Sequence, residues 1–372
     1  MAEFVIVGGG VYGAGVAYEL AVQGAEVVLL EARGIGNGAS AGPGKRGTRA
    51  NGRDVRELPL IRLSHERWPT LHERLGVHPF FERTGHLQLI ERPQDIAAAE
   101  ARALMQNAFG IETHVLDRAA VLDLEPGVSD TIIGALYCPA DGVTDHTAAT
   151  EAYAAAARRA GADVRTHARV ARLEGAGDQV TAVGTTEGER VEIGRQLYLL
   201  ANAGVQDLIG DRLRLPIWSR TFQVLITKPV DGPGIRQLIG HMSRTLAVKA
   251  EAGGRIMVSG GLPGVWDAAR ERGTPLAASI AANLADAVAV FPQLDGAEVE
   301  LADADHLETV SVDGIPVIDQ VPGADNAIYA TAWCGHGWAI APAVIEMLAS
   351  WGLKGRKPER LAPFTHERFL LT

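Results

Sequence analysis

Residues 5–31 narrow the possible folds of this chain more than any other stretch. A short apolar run, Val5 to Val7, meets Gly8-Gly9-Gly10-Val11-Tyr12-Gly13, which sets Gly8, Gly10 and Gly13 in the spacing GxGxxG. Val11 to Val22 reads as an alanine-rich helix, and a second apolar run, Val27 to Leu30, ends on Glu31. Strand, glycine turn, helix and acid-terminated strand make one βαβ unit with a dinucleotide-binding fingerprint. Gly8 permits the tight turn, Gly10 lets a pyrophosphate approach the backbone, and Gly13 lets the helix pack closely on the sheet. The helix start offers unpaired N–H groups and a positive dipole end. Glu31 stands where an acid can accept hydrogen bonds from a ribose.

The rest of the composition bounds the class. A chain of 372 residues suggests two domains, and 47% hydrophobic residues is ordinary for a globular fold. A formal net charge of −10 argues against a nucleic-acid partner, which would need a basic surface. Two cysteines, Cys138 and Cys334, cannot build a disulfide framework, and a reducing compartment fits. The apolar N-terminus lacks a preceding cationic region and is interrupted by Gly and Glu, so it reads as part of the fold rather than a signal peptide. No stretch reaches the length of a membrane span. The expected location is the cytoplasm.

The glycine-rich run from Gly34 to Gly52 has almost nothing to bury and carries Lys45, Arg46 and Arg49, with Arg53 just beyond. A loop this long in a compact domain is usually functional or mobile. Its place after the second strand, and its basic residues, favour contact with a ligand over a surface insert. Helical spacing resumes from Val55 to about Leu75. A strand is expected at His86 to Ile90, a helix at 94–108, and a strand at Thr131 to Tyr137. Next come a helix capped by Asp145 or Thr147, a strand from about Val164 to Leu173, and a buried strand at Leu197 to Ala201 entering a turn at Gly204. From Pro216 to about Leu301, short strands between Gly/Pro turns precede a helix at Pro275 to Val290. That pattern predicts an antiparallel sheet with helices.

The ordered set of motifs resembles the FAD-dependent D-amino-acid oxidase and sarcosine oxidase family over most of the chain, most closely its sarcosine-oxidase-like members. The βαβ unit ending Leu29-Leu30-Glu31-Ala32 carries the resemblance, with Asn37-Gly38-Ala39-Ser40 and Thr48-Arg49. So do DGVTDHTA from Asp141, GADV from Gly161, LLANAG from Leu199, DGIPVID from Asp313 and NAIYATAWCGHGWAIAP from Asn326. The resemblance implies an α/β fold with a discontinuous Rossmann-like FAD-binding domain at 1–82, 143–215 and 305–372. An α+β substrate domain with a mainly antiparallel sheet would occupy 83–142 and 216–304. Cofactor contacts are implied for Gly8, Gly10, Val11, Tyr12, Gly13, Glu31, Ala32, Arg33, Arg46 and Thr48. Ser40 would sit near the pyrophosphate, Val170 near the adenine, and Gly204 at the turn facing the cofactor. Gly335, His336, Gly337 and Trp338 would lie by the isoalloxazine ring, where loop N–H groups stabilise developing negative charge. Arg49, His336 and Trp338 form the implied catalytic set; His336 reads equally as a packed loop histidine.

Departures from the family pattern shape the expected chemistry. By spacing from Asp313, His306 falls where simple sarcosine oxidases link FAD through cysteine, so a cysteinyl link is absent and FAD is expected without a covalent bond, a histidyl link through His306 being the lesser alternative. Met257 takes the place of an oxygen-activating lysine, and Ala339 that of a lysine gripping the substrate carboxylate. Arg53 is a candidate substitute for an arginine after Thr48-Arg49. A carboxylate buried without a cation is costly, so Arg49, Arg46 and Lys249 are the candidate partners. Arg46 and Lys249 otherwise read as ordinary solvated charges. The implied activity is oxidation of the C–N bond of a secondary amine or an amino acid, of the N-methyl or D-amino-acid class. Hydride passes to flavin N5, and the imine hydrolyses. Two other readings stand beside it: oxidation of a 2-hydroxy acid or biosynthetic intermediate, and a flavin-binding subunit without catalysis. A small-molecule amine or amino acid, and a protein electron acceptor or partner subunit, are the expected partners. No metal is expected, because no histidine pair has ligand spacing.

Overall fold

The N-terminal apolar run becomes the middle of a sheet. In the computed structural model, which describes residues 2–38, 42–232 and 234–370, Ala2–Val7 is bonded in parallel to Val27–Leu30 and to Arg190–Leu199. Asp163–Arg165 extends the parallel array beyond Val27–Leu30, and Ala324–Thr331 extends it beyond Arg190–Leu199. Val317–Val321 closes that edge in antiparallel sense. All four residues of Val27–Leu30 are buried, as a parallel sheet covered on both faces requires. Phe4, Ile6 and Leu29 pack with the helices Val11–Ala21 and Ala341–Lys354 on one face. On the other, Val5, Val7 and Leu199 pack against Val205–Ile209 and the antiparallel strands Val170–Ala176 and Gln179–Thr185.

A second eight-stranded sheet runs Val299–Asp303, Val224–Thr227, Ile256–Ser259, Ala247–Ala250, Leu238–His241, His86–Ile90, Gly134–Cys138, His114–Asp117. Only the pairing of Leu238–His241 with His86–Ile90 is parallel. Alternation sorts its two faces. Leu225, Val248 and Val258 pack with Ala287 and Val290 of the helix Ala277–Val290. Lys249 and Met257, directly opposite each other on neighbouring strands, turn to the other face.

Several local expectations need correction. The run from Gly34 to Gly52 is not bare loop: Arg46–Thr48 pairs with Gly142–Thr144, and Ala50 and Asn51 are fully buried. The strand expected over 164–173 is two strands, Asp163–Arg165 and Val170–Ala176, separated by His167 at φ +55°. Residues 131–133 precede their strand rather than begin it. A short helix, Arg118–Leu124, lies outside the expected elements; its signal is the cap, where Asp117 accepts from Ala120 N–H. Of the two cap candidates for His146–Arg159, Asp145 serves, accepting from Ala148 N–H at 3.0 Å. No helix among the described residues is long and apolar enough to cross a membrane.

Candidate functional site

Both sheets contribute to a cavity of about 930 Å³. The βαβ turn forms one end. Gly8 has φ +110°, and a Cβ there would lie 2.6 Å from Leu200 O. At Gly13 a Cβ would meet Gly8 O at 1.8 Å, so only glycine lets the helix approach the turn this closely. Gly10 differs: an added Cβ would find no atom of the described residues within 4 Å. Its surroundings are cavity, and the helix it begins has no side-chain cap and no acid in its first turn. The leading N–H groups are therefore available to an anion. The Glu31 carboxylate is fixed by Gly9 N–H at 2.6 Å and Arg33 N–H at 2.7 Å, and still lines the cavity with unused lone pairs. An open cradle, free helix-start donors and an oriented carboxylate fit the pyrophosphate and ribose of a dinucleotide.

The C-terminal segment meets this turn. Tyr12 donates to Gly337 O at 2.6 Å, and its ring stacks on Trp333 with centroids 3.6 Å apart. Trp338 is buried between Trp68 and His146. His336 Nδ1 lies 3.1 Å from the buried Glu57, and Nε2 lies 3.2 Å from Gly314 O. Burial, then the Arg53 charge, pushes the His336 pKa down despite Glu57. Glu308, which no motif in the sequence singles out, lines the same region and accepts from Asn202 Nδ2 at 3.0 Å. Burial pushes its carboxyl up to about 7.

Of the residues singled out in the sequence, Gly8, Gly10, Val11, Tyr12, Glu31, Ala32, Arg33, Arg46 and Arg49 line the cavity. So do Val170, Gly204, Gly335, His336, Gly337 and Trp338. Gly13 and Thr48 are not among its lining residues; Thr48 is buried in the strand paired with Gly142–Thr144. Ser40 lies outside the described residues. Ala339 is buried and does not line the cavity, whereas Met257 and His306 do.

The middle of the cavity is rich in buried cations. Arg49 and Arg53 both line it, and neither makes an ion pair or side-chain hydrogen bond among the described residues. Burial lowers both, Arg53 to about 9 with help from the neighbouring Arg49 charge. Lys249 is only 5% exposed, not the solvated charge its sequence context suggests, and burial with the Arg46 charge pushes it down to about 7. Arg46 is held differently, donating to the carbonyls of Gly42, Pro43 and Gly44. Asp141 supports the arginine segment from behind, accepting from Ala50 N–H at 2.7 Å. No group of three potential metal ligands occurs among the described residues.

A family model described as DAO, FAD dependent oxidoreductase, matches residues 3–351. One of the subunits of opine oxidase from Rhizobium meliloti is 27% identical, over 99% of this chain and 97% of its own length. The beta subunit of sarcosine oxidase from Arthrobacter sp is 26% identical, over 99% of this chain and 91% of its own length. The crystal structure of L-proline dehydrogenase from P.horikoshii superposes with a TM-score of 0.90 at 25% identity, covering 99% of this chain and 97% of that one.

Proposed function

Because this chain belongs to the DAO family of FAD dependent oxidoreductases, we propose that it oxidises the C–N bond of a secondary amine or amino acid that bears a carboxylate. The observation that carries this reading is the pair Arg49 and Arg53, two guanidiniums in the cavity wall with no protein anion in ion-pair contact among the described residues. Buried guanidiniums need planar, charge-complementary acceptors, and a substrate carboxylate supplies them. The names of relatives, an opine oxidase subunit, a sarcosine oxidase subunit and a proline dehydrogenase, support a C–N bond over the C–O bond of a hydroxy acid.

In this proposal residues 1–82, 143–215 and 305–372 form the FAD-binding domain, and 83–142 with 216–304 form the substrate domain. The Gly8–Gly10 turn and the Val11 and Tyr12 N–H groups hold the pyrophosphate, and Glu31 holds the ribose. Val170 lies beside the adenine, and Gly335 to Trp338 border the ring. FAD, when bound, supplies the two-electron acceptor for the hydride leaving the carbon next to nitrogen. Arg49 and Arg53 orient the substrate through its carboxylate. Their charge, with desolvation by Phe222, Leu238 and Met257 in the cavity wall, favours the neutral amine that oxidation requires.

The test is anaerobic bleaching of the flavin by N-methyl, cyclic and D-amino acids, each paired with an amine lacking the carboxylate, and by 2-hydroxy acids. Bleaching by the amino acids and not by their decarboxylated partners is the expected result. Bleaching by hydroxy acids alone overturns the bond assignment. Arg49→Met is expected to lower kcat/KM for the carboxylate substrate by about a hundredfold or more, the effect of truncating one partner of a buried charge pair. The carboxylate-free amine should be affected far less.

A partner subunit or protein electron acceptor belongs to the same proposal. Two relatives are named as oxidase subunits, and Met257 gives the cavity no cation at that position. Slow reoxidation of the reduced protein by oxygen, accelerated by a soluble acceptor dye, would support it. Rapid reoxidation by oxygen alone would count against it.

A further inference from the structure

We infer that the substrate of this site carries two carboxylates, one held at Arg53 and the other at Lys249. The inference rests on the amine-oxidising reading above and deepens it to a class: a secondary amine whose nitrogen stands between two acidic arms.

The geometry separates the two ends. Arg53 follows the strand Arg46–Thr48 in the chain and lines the cavity from that segment. Lys249 projects from the second sheet, on the strand Ala247–Ala250 opposite Met257. Arg49 is near both segments: a Cβ placed on Gly52, next to Arg53 in the chain, would come 3.8 Å from Arg49 Nη1. A Cβ placed on Gly240, in the strand bonded to Ala247–Ala250, would come 3.8 Å from Arg49 Nη1. Its charge acts on both Arg53 and Lys249.

Among the described residues the protein gives this row no ion pair of its own. None of the three cations has a carboxylate within ion-pair distance among the described residues; Asp141, Glu57 and Glu251 act on them only from further off. Glu57 faces His336 Nδ1 at 3.1 Å, Glu251 accepts from Lys45 N–H at 2.7 Å, and Asp303 lies 3.5 Å from His306 Nε2. The Arg53 Nε donor is buried without a hydrogen-bond partner among the described residues. A buried cation without an anion pays a large desolvation penalty. A monocarboxylate could relieve one end of the row and would leave the other dehydrated. An acid at each end satisfies both, with Arg49 joining Arg53 as a donor to the first acid.

The test uses the FAD-loaded protein and two thioethers that cannot be oxidised as amines. Thiodiacetate carries two carboxylates, and methylthioacetate carries one. Calorimetric titration should show thiodiacetate binding at least about tenfold more tightly, the equivalent of one extra charge-assisted contact. In Lys249→Met that ratio should collapse towards about one. Equal binding of the two probes by the unmutated protein, a comparison that needs no variant to fold, overturns the inference. So does a ratio that survives in Lys249→Met. Flavin bleaching by iminodiacetate and by sarcosine is measured alongside. If thiodiacetate is preferred but neither amine bleaches the flavin, the amine-oxidising reading falls and the two-carboxylate site stands. If sarcosine bleaches as readily as iminodiacetate and the probes bind alike, the amine reading stands and the two-carboxylate site falls.

Discussion

Gly10→Ala is expected to leave the apoprotein as stable as the parent while weakening FAD binding about a hundredfold, through loss of about two charge-assisted hydrogen bonds. Gly13→Ala, three residues away, is expected to lose both stability and cofactor. The difference follows from what each new methyl group would meet. Gly10 has φ −73° and ψ −178°, a backbone conformation open to alanine, and its Cβ would touch no atom of the described residues within 4 Å. The methyl group would enter the space through which the pyrophosphate must reach the helix-start N–H groups. At Gly13 the same methyl group would lie 1.8 Å from Gly8 O and 3.0 Å from Gly8 C, both backbone atoms. The helix would have to withdraw from the turn, at a cost of about 2 kcal/mol from overpacking alone. Titrating each apoprotein with FAD, and following its thermal unfolding without FAD, reads the two effects separately. Gly10→Ala retaining FAD as tightly as the parent would remove the phosphate from this cradle.

This end of the site is legible in the sequence because its demands are local. A tight turn, a close helix and an acid after the second strand each need a particular residue at a particular spacing, and Gly8, Gly13 and Glu31 show it. The second sheet is legible as a sheet through its short apolar runs and Gly/Pro turns. Its function-bearing face is not. In Leu246-Ala247-Val248-Lys249 the alternation shows that Lys249 points away from the core side of Val248. Whether the far face meets solvent or a cavity depends on the other sheet, which no local pattern encodes. Arg46–Thr48 reads as loop for a related reason: its strand character comes from pairing with Gly142–Thr144, distant in sequence. The strand expected over 164–173 fails in the opposite way. Its residues alternate well enough to read through, but His167 adopts a left-handed conformation that splits them. Asp141-Gly142 carries a true turn signal that conceals a buried carboxylate, because the composition of a turn says nothing about its burial.

Asp141→Asn is expected to destabilise the protein by about 3 kcal/mol near neutral pH, the scale of breaking a buried, fully engaged charge. Asp141 is completely buried. One oxygen accepts from Ala50 N–H at 2.7 Å with His65 Nε2 at 3.1 Å; the other accepts from Asn51 N–H at 3.4 Å with His86 Nδ1 at 3.5 Å. Burial pushes its pKa up, but the two imidazoles outweigh it and hold the carboxyl well below the usual carboxylate range. The unfolded chain releases this proton at about pH 3.9. Because the folded pKa is the lower one, the stabilisation is fully present above that pH and is lost as pH falls towards the folded value. Asparagine keeps the shape but cannot carry the charge, and its NH2 group would face backbone donors. Urea midpoints for parent and variant should therefore differ most at about pH 6–7 and converge below about pH 4. A gap independent of pH would assign the stabilisation to packing instead. The same substitution should weaken thiodiacetate binding, although Asp141 does not line the cavity. Ala50 and Asn51 lie between Arg49 and Arg53, and Asn51 is further tied to Leu136 O at 3.1 Å. Asp141 is thus a positioning residue, whose charge holds the backbone from which both guanidiniums enter the cavity.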